Sequence, residues 1–266
     1  MTPKEYISQG KAIIIADDFG MSNGTDSAIT ELILAKKLHA TSMLVTSDRF
    51  NDANPDLLPK CVVGLHFDLT FGKAISIEGK SIITDQSGNF NKSFAQIMLL
   101  CILKNKEMQA LISKEVKAQL QKLHEKFGAI SHIDGHQHIH MNPLIFKEIQ
   151  RFATDFQVQR IRFINEKIFQ LQAFNPSNFI GLIKLLLLRT LGLFCNYNSK
   201  IYFISILHTC KISNNILAKY QVPKGFDSIE IMLHPSNHEL DFNTTNKEKT
   251  HLLSPFRKIE KNCLEN

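Results

Sequence analysis

The sequence predicts a parallel α/β protein of barrel size, and three observations carry that expectation. Short runs rich in Ile, Val and Leu recur along the chain, as expected of strands buried on both faces of a parallel sheet. Segments with helical spacing of apolar residues alternate with them. Four of the runs then break off at clusters of acid–base or metal-competent residues: IIIADD at 13–18, VVGLHFD at 62–68, ISHIDGHQHIH at 130–140 and IEIMLHP at 229–235. The carboxyl ends of parallel strands form one face, where active sites sit. Carboxylates and imidazoles from four distant segments can therefore converge on one divalent metal. At 266 residues the chain exceeds the usual domain size, but α/β barrels reach this length around a single core. We expect one domain over 1–266.

The elements follow in order. Residues 13–18 form the first strand, and 23–38 a helix with Ile29, Leu32, Ile33 and Ala35 on one side. Residues 41–45 and 62–67 read as the next two strands. Residues 71–90, rich in Gly, Ser, Asp and Asn, suggest an excursion over the catalytic face that helps to shape the substrate site. A long helical stretch covers 94–127, divisible into two helices, with Lys and Glu alternating on its solvent side. A strand at 129–134, a helix at 143–156 with Pro143 in its first turn, and a strand at 158–164 come next. Strands at 202–207 and 228–233 complete the set. The polar segment 238–266, weak in apolar periodicity, reads as a partly mobile tail outside a core of about 12–237.

Composition narrows the function. A net charge of +6 would permit anionic partners, but no arginine-rich or aromatic-interleaved stripe points to nucleic acid. Five widely spaced cysteines without a CxxC pair indicate neither a disulfide framework nor a thiolate zinc site, which favours the cytoplasm. The N-terminus lacks a signal-peptide pattern. Residues 179–194, FIGLIKLLLLRTLGLF, are too few for a membrane span of about 20 residues and contain Lys184 and Arg189, so a buried or amphipathic helix is expected. Peripheral membrane contact stays open, as does a role for this helix in favouring a sugar attached to an apolar group. Homo-oligomerisation is also left open.

The strand ends supply the chemistry. Asp17 and Asp18 precede Phe19-Gly20, where glycine permits a sharp turn. A cation on Asp18 would relieve the like-charge pair and leave Asp17 free as a base. His66 lies within a buried-strand pattern, and Asp68, two residues on, shares its face and could orient an imidazole. In DGHQHIHMNP, Asp134, His136, His138 and His140 recur at spacing two, which on an extended segment puts three imidazoles on one face. Imidazole is the commonest protein metal ligand.

Together, ADDFGMS at 16–22, GLHFDLT at 64–70, DGHQHIHMNP at 134–143 and PKGFDSIEIMLHP at 223–235 closely resemble the YdjC-like carbohydrate deacetylase family. That family includes chito-oligosaccharide deacetylases and a branch associated with hopanoid biosynthesis. The resemblance spans 12 to about 237 and implies a distorted (β/α) TIM-like barrel that removes an N-acetyl group from an amino sugar or glycan. It also implies one divalent metal, Mg²⁺ or Zn²⁺, held by Asp18, His66 and His136. Asp17 matches the family's catalytic base, and His234 a histidine acting as general acid or transition-state stabiliser. Gly135 and Gln137 stand where the family often has Ser and His. Two other readings remain: a phosphoesterase-like hydrolase with a second metal set through His138 and His140, and a non-catalytic sugar-binding protein.

Overall fold

The computed structural model of the chain describes residues 1–57, 60–168, 179–242 and 254–265. Seven strands form one all-parallel sheet: β1 (Ala12–Phe19), β2 (Ala40–Met43), β3 (Val62–Phe67), β4 (His132–Gly135), β5 (Arg160–Ile161), β6 (Ile201–Ile204) and β7 (Ser228–Leu233). Their spatial order is β5-β4-β3-β2-β1-β7-β6, so the sheet curls as a half-barrel, the distorted (β/α) barrel anticipated from sequence. Helices α1 (Pro3–Ser8), α2 (Asn23–Leu34), α3 (Phe94–Leu103), α4 (Asn105–Phe127), α5 (Pro143–Asp155), α6 (Phe179–Gly192), α7 (Asn214–Leu217) and α8 (Pro255–Glu265) accompany it.

Local sequence explains the boundaries. Ser22 caps α2 by accepting from Thr25 N, and Asn142 caps α5 at Leu144 N, with Pro143 at the first helical position, where no N–H is needed. Ser93 and Gln96 form a capping box at the start of α3, and the non-helical backbone of Lys104 divides it from α4. The core lies between sheet and helices: Ile15, Leu65 and Ile133 pack in one cluster with Ile112, Val116 and Leu120 of α4 and Ile145 and Ile149 of α5, all fully buried. Each such side chain contributes about 1.5–3 kcal/mol by leaving water.

Two expectations need correction. The strand expected over 158–164 has only a two-residue ladder, because no strand among the described residues pairs with its outer edge. The seam between β5 and β6 is closed by side chains instead. Asn165 Nδ2 donates to Ile201 O at 2.8 Å, and its Oδ1 accepts from Phe203 N at 2.9 Å, imitating a ladder. Glu166 accepts from Ser205 N and Ile206 N, and Lys167 N donates to the Tyr202 hydroxyl. The supposed tail is the second correction, for its described end is α8, where Arg257 and Glu260 are fully buried. The buried face of α8 is charged, so a search for apolar periodicity misses it.

Candidate active site

Adjacent residues of a regular strand point to opposite faces. Asp17 and Asp18 nevertheless both line one cavity of about 450 Å³ at the carboxyl ends of the strands. The register explains this: Ala16 pairs with Thr41 and Phe19 with Met43, so β1 carries one residue more than β2 across the two aspartates. Asp18 takes a left-handed backbone (φ 70°), and Gly20 follows with φ 98°. A non-glycine residue held there costs about 1–3 kcal/mol, a strain that concentrates at functional sites.

Asp18, His66 and His136 offer donor atoms that all lie within 4.8 Å of one another. Asp18 Oδ1 is 3.3 Å from His66 Nε2 and 3.1 Å from His136 Nδ1. Bonds of about 2.1 Å to one ion give ligand–ligand edges of about 3.0 Å in an octahedron and about 3.4 Å in a tetrahedron, so both separations fit a shared cation. The other nitrogen of His66, Nδ1, meets Asp134 Oδ1 at 2.7 Å, which fixes the tautomer with Nε2 turned to Asp18, as behind many metal-bound histidines. Among the described residues His136 Nε2, which is buried, finds no hydrogen-bond partner. Burial alone would raise the Asp18 pKa, but His136, His66 and His234 hold it well below the carboxylate range. Burial alone would lower that of His66, but Asp134, Asp18 and Asp17 carry it well above the usual histidine value. A donor set that draws protons this strongly in its carboxylate's place is one a divalent cation satisfies.

Asp17 is not a free carboxylate. Arg162, wholly buried beyond β5, donates from Nη1 to Asp17 Oδ2 at 2.5 Å and from Nη2 to Oδ1 at 2.8 Å. The same guanidinium reaches Asp134 Oδ2 at 2.8 Å and Glu230 Oε1 at 2.5 Å, and Arg160 adds a second contact to Glu230. One cation thus ties β1, β4 and β7 together inside the barrel. Burial pushes the Asp17 pKa up to about 6 and Arg162 opposes it, which poises the group as a base near neutrality.

His234, just past the end of β7, lines the same cavity, and because Ala16 pairs with Leu233 it follows beside Asp17 on the neighbouring strand. Glu260 of α8 accepts the His234 backbone N–H at 2.6 Å and that of Ile212 at 3.0 Å, and its Oε2 lies 3.9 Å from His234 Nδ1. Arg257, one turn before, stands 3.4 Å from Asp18 Oδ2.

The structure therefore brings Asp17, Asp18, His66, His136 and His234 together on one cavity, which His138 also lines and His140 does not. The segment after β4 is a tight turn with left-handed backbone at Gln137 (φ 53°) and His138 (φ 63°), which destroys the alternation an extended strand would have had. His138 packs edge-on to His140 and Phe203, and neither histidine belongs to any group of three potential metal ligands among the described residues. Burial depresses both, His140 to about 3. Gly135 is explained by the same turn, since a Cβ there would lie 2.9 Å from His140 Nδ1. Asp68 orients no imidazole; it accepts from Thr70 and Phe71, and Asp134 does the orienting. The 71–90 excursion turns away to be held by Glu115 of α4 at Ile75 and Ser76 and contributes no cavity-lining residue, although Phe71 sets its ring 6.4 Å from that of His136. From α6, by contrast, Ile180, Gly181 and Lys184 line the cavity.

Sequence reasoning missed Arg162, Glu230 and Glu260. The first two had a signal: a charge inside an aliphatic strand run is buried and must have a partner. Glu260 had none.

Comparison with known proteins identifies the family and the fold. The family described as YdjC-like protein matches residues 11–264, α8 included. A chitooligosaccharide deacetylase of Escherichia fergusonii is 29% identical over 231 residues, 84% of this chain and 81% of its own. One from Citrobacter koseri is 33% identical over 146 residues, 54% of this chain and 55% of its own. A crystal structure described as a cellobiose-phosphate cleavage protein from Enterococcus faecalis shares the fold, with TM-score 0.57 and 19% identity, covering 96% of this chain and 93% of that one.

Proposed function

The chain belongs to the YdjC-like family, and on that premise we propose that it is a metal-dependent carbohydrate deacetylase, hydrolysing the acetamide of an N-acetylated amino sugar or glycan. The observation that carries this reading is the Asp18–His66–His136 triangle on the cavity floor, with Asp17 beside it and Asp134 behind His66. The names of the relatives support the substrate class.

A divalent metal bound there supplies a Lewis acid that polarises the amide carbonyl and acidifies water. Asp17 accepts the proton of the attacking water, and Arg162 keeps it ionised and aimed by gripping both oxygens. His234 stands on the adjoining end of β7 and, when protonated, donates to the departing amine or to the developing oxyanion. Glu260 fixes the backbone of His234, and so the height at which its ring enters. A phosphoesterase would want a second metal set. The other groupings draw on Asp17 and Asp134, already bound to Arg162, or on Glu260, already bound by two backbone N–H groups.

The test is acetate release from N-acetylated chito-oligosaccharides and monosaccharides after chelation and re-addition of single divalent metals. Release restored by metal is expected. No acetate with any metal, alongside hydrolysis of a phosphomonoester, would overturn the reading.

A further inference from the structure

We infer that Arg257 is a positioning residue for the site: it occupies the second oxygen of Asp18, so that this aspartate offers a metal one oxygen and not two. The inference rests on the reading of Asp18, His66 and His136 as metal ligands.

Arg257 lies on α8, one turn before Glu260, and is fully buried. The helix is pinned on two sides. Glu260 accepts the backbone N–H groups of Ile212 and His234, which ties it to the end of β7. Lys261 Nζ reaches Glu31 Oε2 at 2.5 Å, which ties it to α2, and Asn237 Oδ1 at 2.8 Å. The guanidinium is thereby fixed with Nη1 and Nη2 each 3.4 Å from Asp18 Oδ2, and with Nη2 also 3.3 Å from Thr25 Oγ1. Among the described residues Asp18 is the one carboxylate within ion-pair distance of it, and a cation so deeply buried requires such a partner.

The two oxygens of Asp18 therefore face different partners. Oδ1 stands 3.3 Å from His66 Nε2 and 3.1 Å from His136 Nδ1, whereas Oδ2 is turned to Arg257. Nothing in an aspartate enforces this division, because rotation about its last torsion is soft and carboxylates hold metals through one oxygen or through both. Arg257 enforces it. The coordination position that Oδ2 would fill is left open to substrate, and a carboxylate shared with a guanidinium gives up less charge, so the metal stays the stronger Lewis acid. The cost falls on affinity, since guanidinium and metal are like charges on one carboxylate. Neutralising Arg257 should therefore move metal affinity and activity in opposite directions. Loss of a residue that merely props up Asp18 would lower both.

The test compares the full chain with Arg257→Gln and Arg257→Met, which both remove the charge, and with Arg257→Lys, which returns it. Zn²⁺ affinity is measured by competition with a chelator, coordination by the visible absorption of the Co²⁺-loaded proteins, and kcat and KM by acetate release. The two neutral variants should bind Zn²⁺ as tightly as the parent or more tightly and show weaker Co²⁺ absorption as the coordination number rises. Their kcat should fall about 10–100-fold with KM little changed. Arg257→Lys should recover the parental Co²⁺ spectrum and most of kcat. Zn²⁺ affinity lower by about tenfold or more in a folded neutral variant, parental kcat in Arg257→Gln, or loss of cooperative melting in both neutral variants would each overturn the inference and leave the metal reading standing. A parent that binds neither Zn²⁺ nor Co²⁺ would bring down the metal reading and this inference with it.

Discussion

Replacing Arg162 by Met removes the one cation shared by Asp17, Asp134 and Glu230 while keeping much of the side-chain volume. Four charge-assisted hydrogen bonds are lost, two to Asp17 and one each to Asp134 and Glu230, all between groups almost wholly buried. Breaking a buried ion pair from one side costs about 3–5 kcal/mol. The figure is not tripled, because stranded carboxylates take up protons rather than remain charged. For a chain of this size that corresponds to a melting temperature lower by roughly 6–20 °C. The kinetic effect has a definite sign. Burial already raises Asp17 to about 6 against the pull of Arg162, so removing Arg162 moves it further up. A base must be ionised to act, so the acid limb of the kcat/KM profile moves to higher pH and activity at neutral pH falls. Arg162→Lys keeps the charge but not the fork, and should lie between the two in both measurements. Thermal melts and pH–rate profiles of the metal-loaded proteins decide the matter. A Met variant that melts within a degree or two of the parent and has an unmoved acid limb would refute the account of Arg162 as the hub of the site.

Three further outcomes are expected. His66→Ala and His136→Ala should each lose stoichiometric metal by elemental analysis; full metal content in both would remove them from the ligand set. Asp17→Asn should retain metal and lose about 10²-fold or more in kcat; metal lost from Asp17→Asn but kept in Asp18→Asn would exchange the roles of the two aspartates. Glu166 makes folding pH-dependent: burial raises it from 4.5 to about 7 in spite of the donors around it, so the folded chain holds that proton more tightly than the unfolded one. The resulting stabilisation is complete below about 4.5 and disappears as pH rises through about 7, a loss on the order of 3 kcal/mol. Denaturant titrations of metal-free protein at several pH values should show this slope flattened in Glu166→Gln, and an identical slope would exclude Glu166 as its source.

Much of the candidate site was legible because its residues stand at strand ends, where a carboxylate or imidazole interrupts a pattern otherwise dictated by burial. The family resemblance then singled out Asp18, His66 and His136 among them, and their donor atoms lie close together. The same reasoning failed at His138 and His140, because spacing predicts facing only while the backbone stays extended, and the left-handed residues at 137 and 138 end that regularity. It failed again at Arg162, whose partner Asp17 lies 145 positions away, a separation no local pattern encodes. Residues 71–90 were assigned to the catalytic face by chain proximity, whereas Glu115 of α4 holds them aside. For 179–194, apolar content alone could not say which side is core. Packing chose Leu185 and Leu188 and left Ile183, Leu186 and Leu187 outside.

The seam between β5 and β6 gives the molecule a division of labour. The ladder β4-β3-β2-β1-β7 is continuous and carries Asp17, Asp18, His66, Asp134 and His234 on it or at its ends, so the groups proposed to react share one unbroken frame. Ile180, Gly181, Lys184, Thr209 and Lys211 stand in segments that follow the seam, attached to that frame partly through the side chains of residues 165–167. An insertion or replacement between β5 and β6 falls where side chains rather than a ladder bridge the seam, so the registers of β5 on β4 and of β6 on β7 can stay as they are. The barrel can thus exchange one wall for another while its chemistry stays in place.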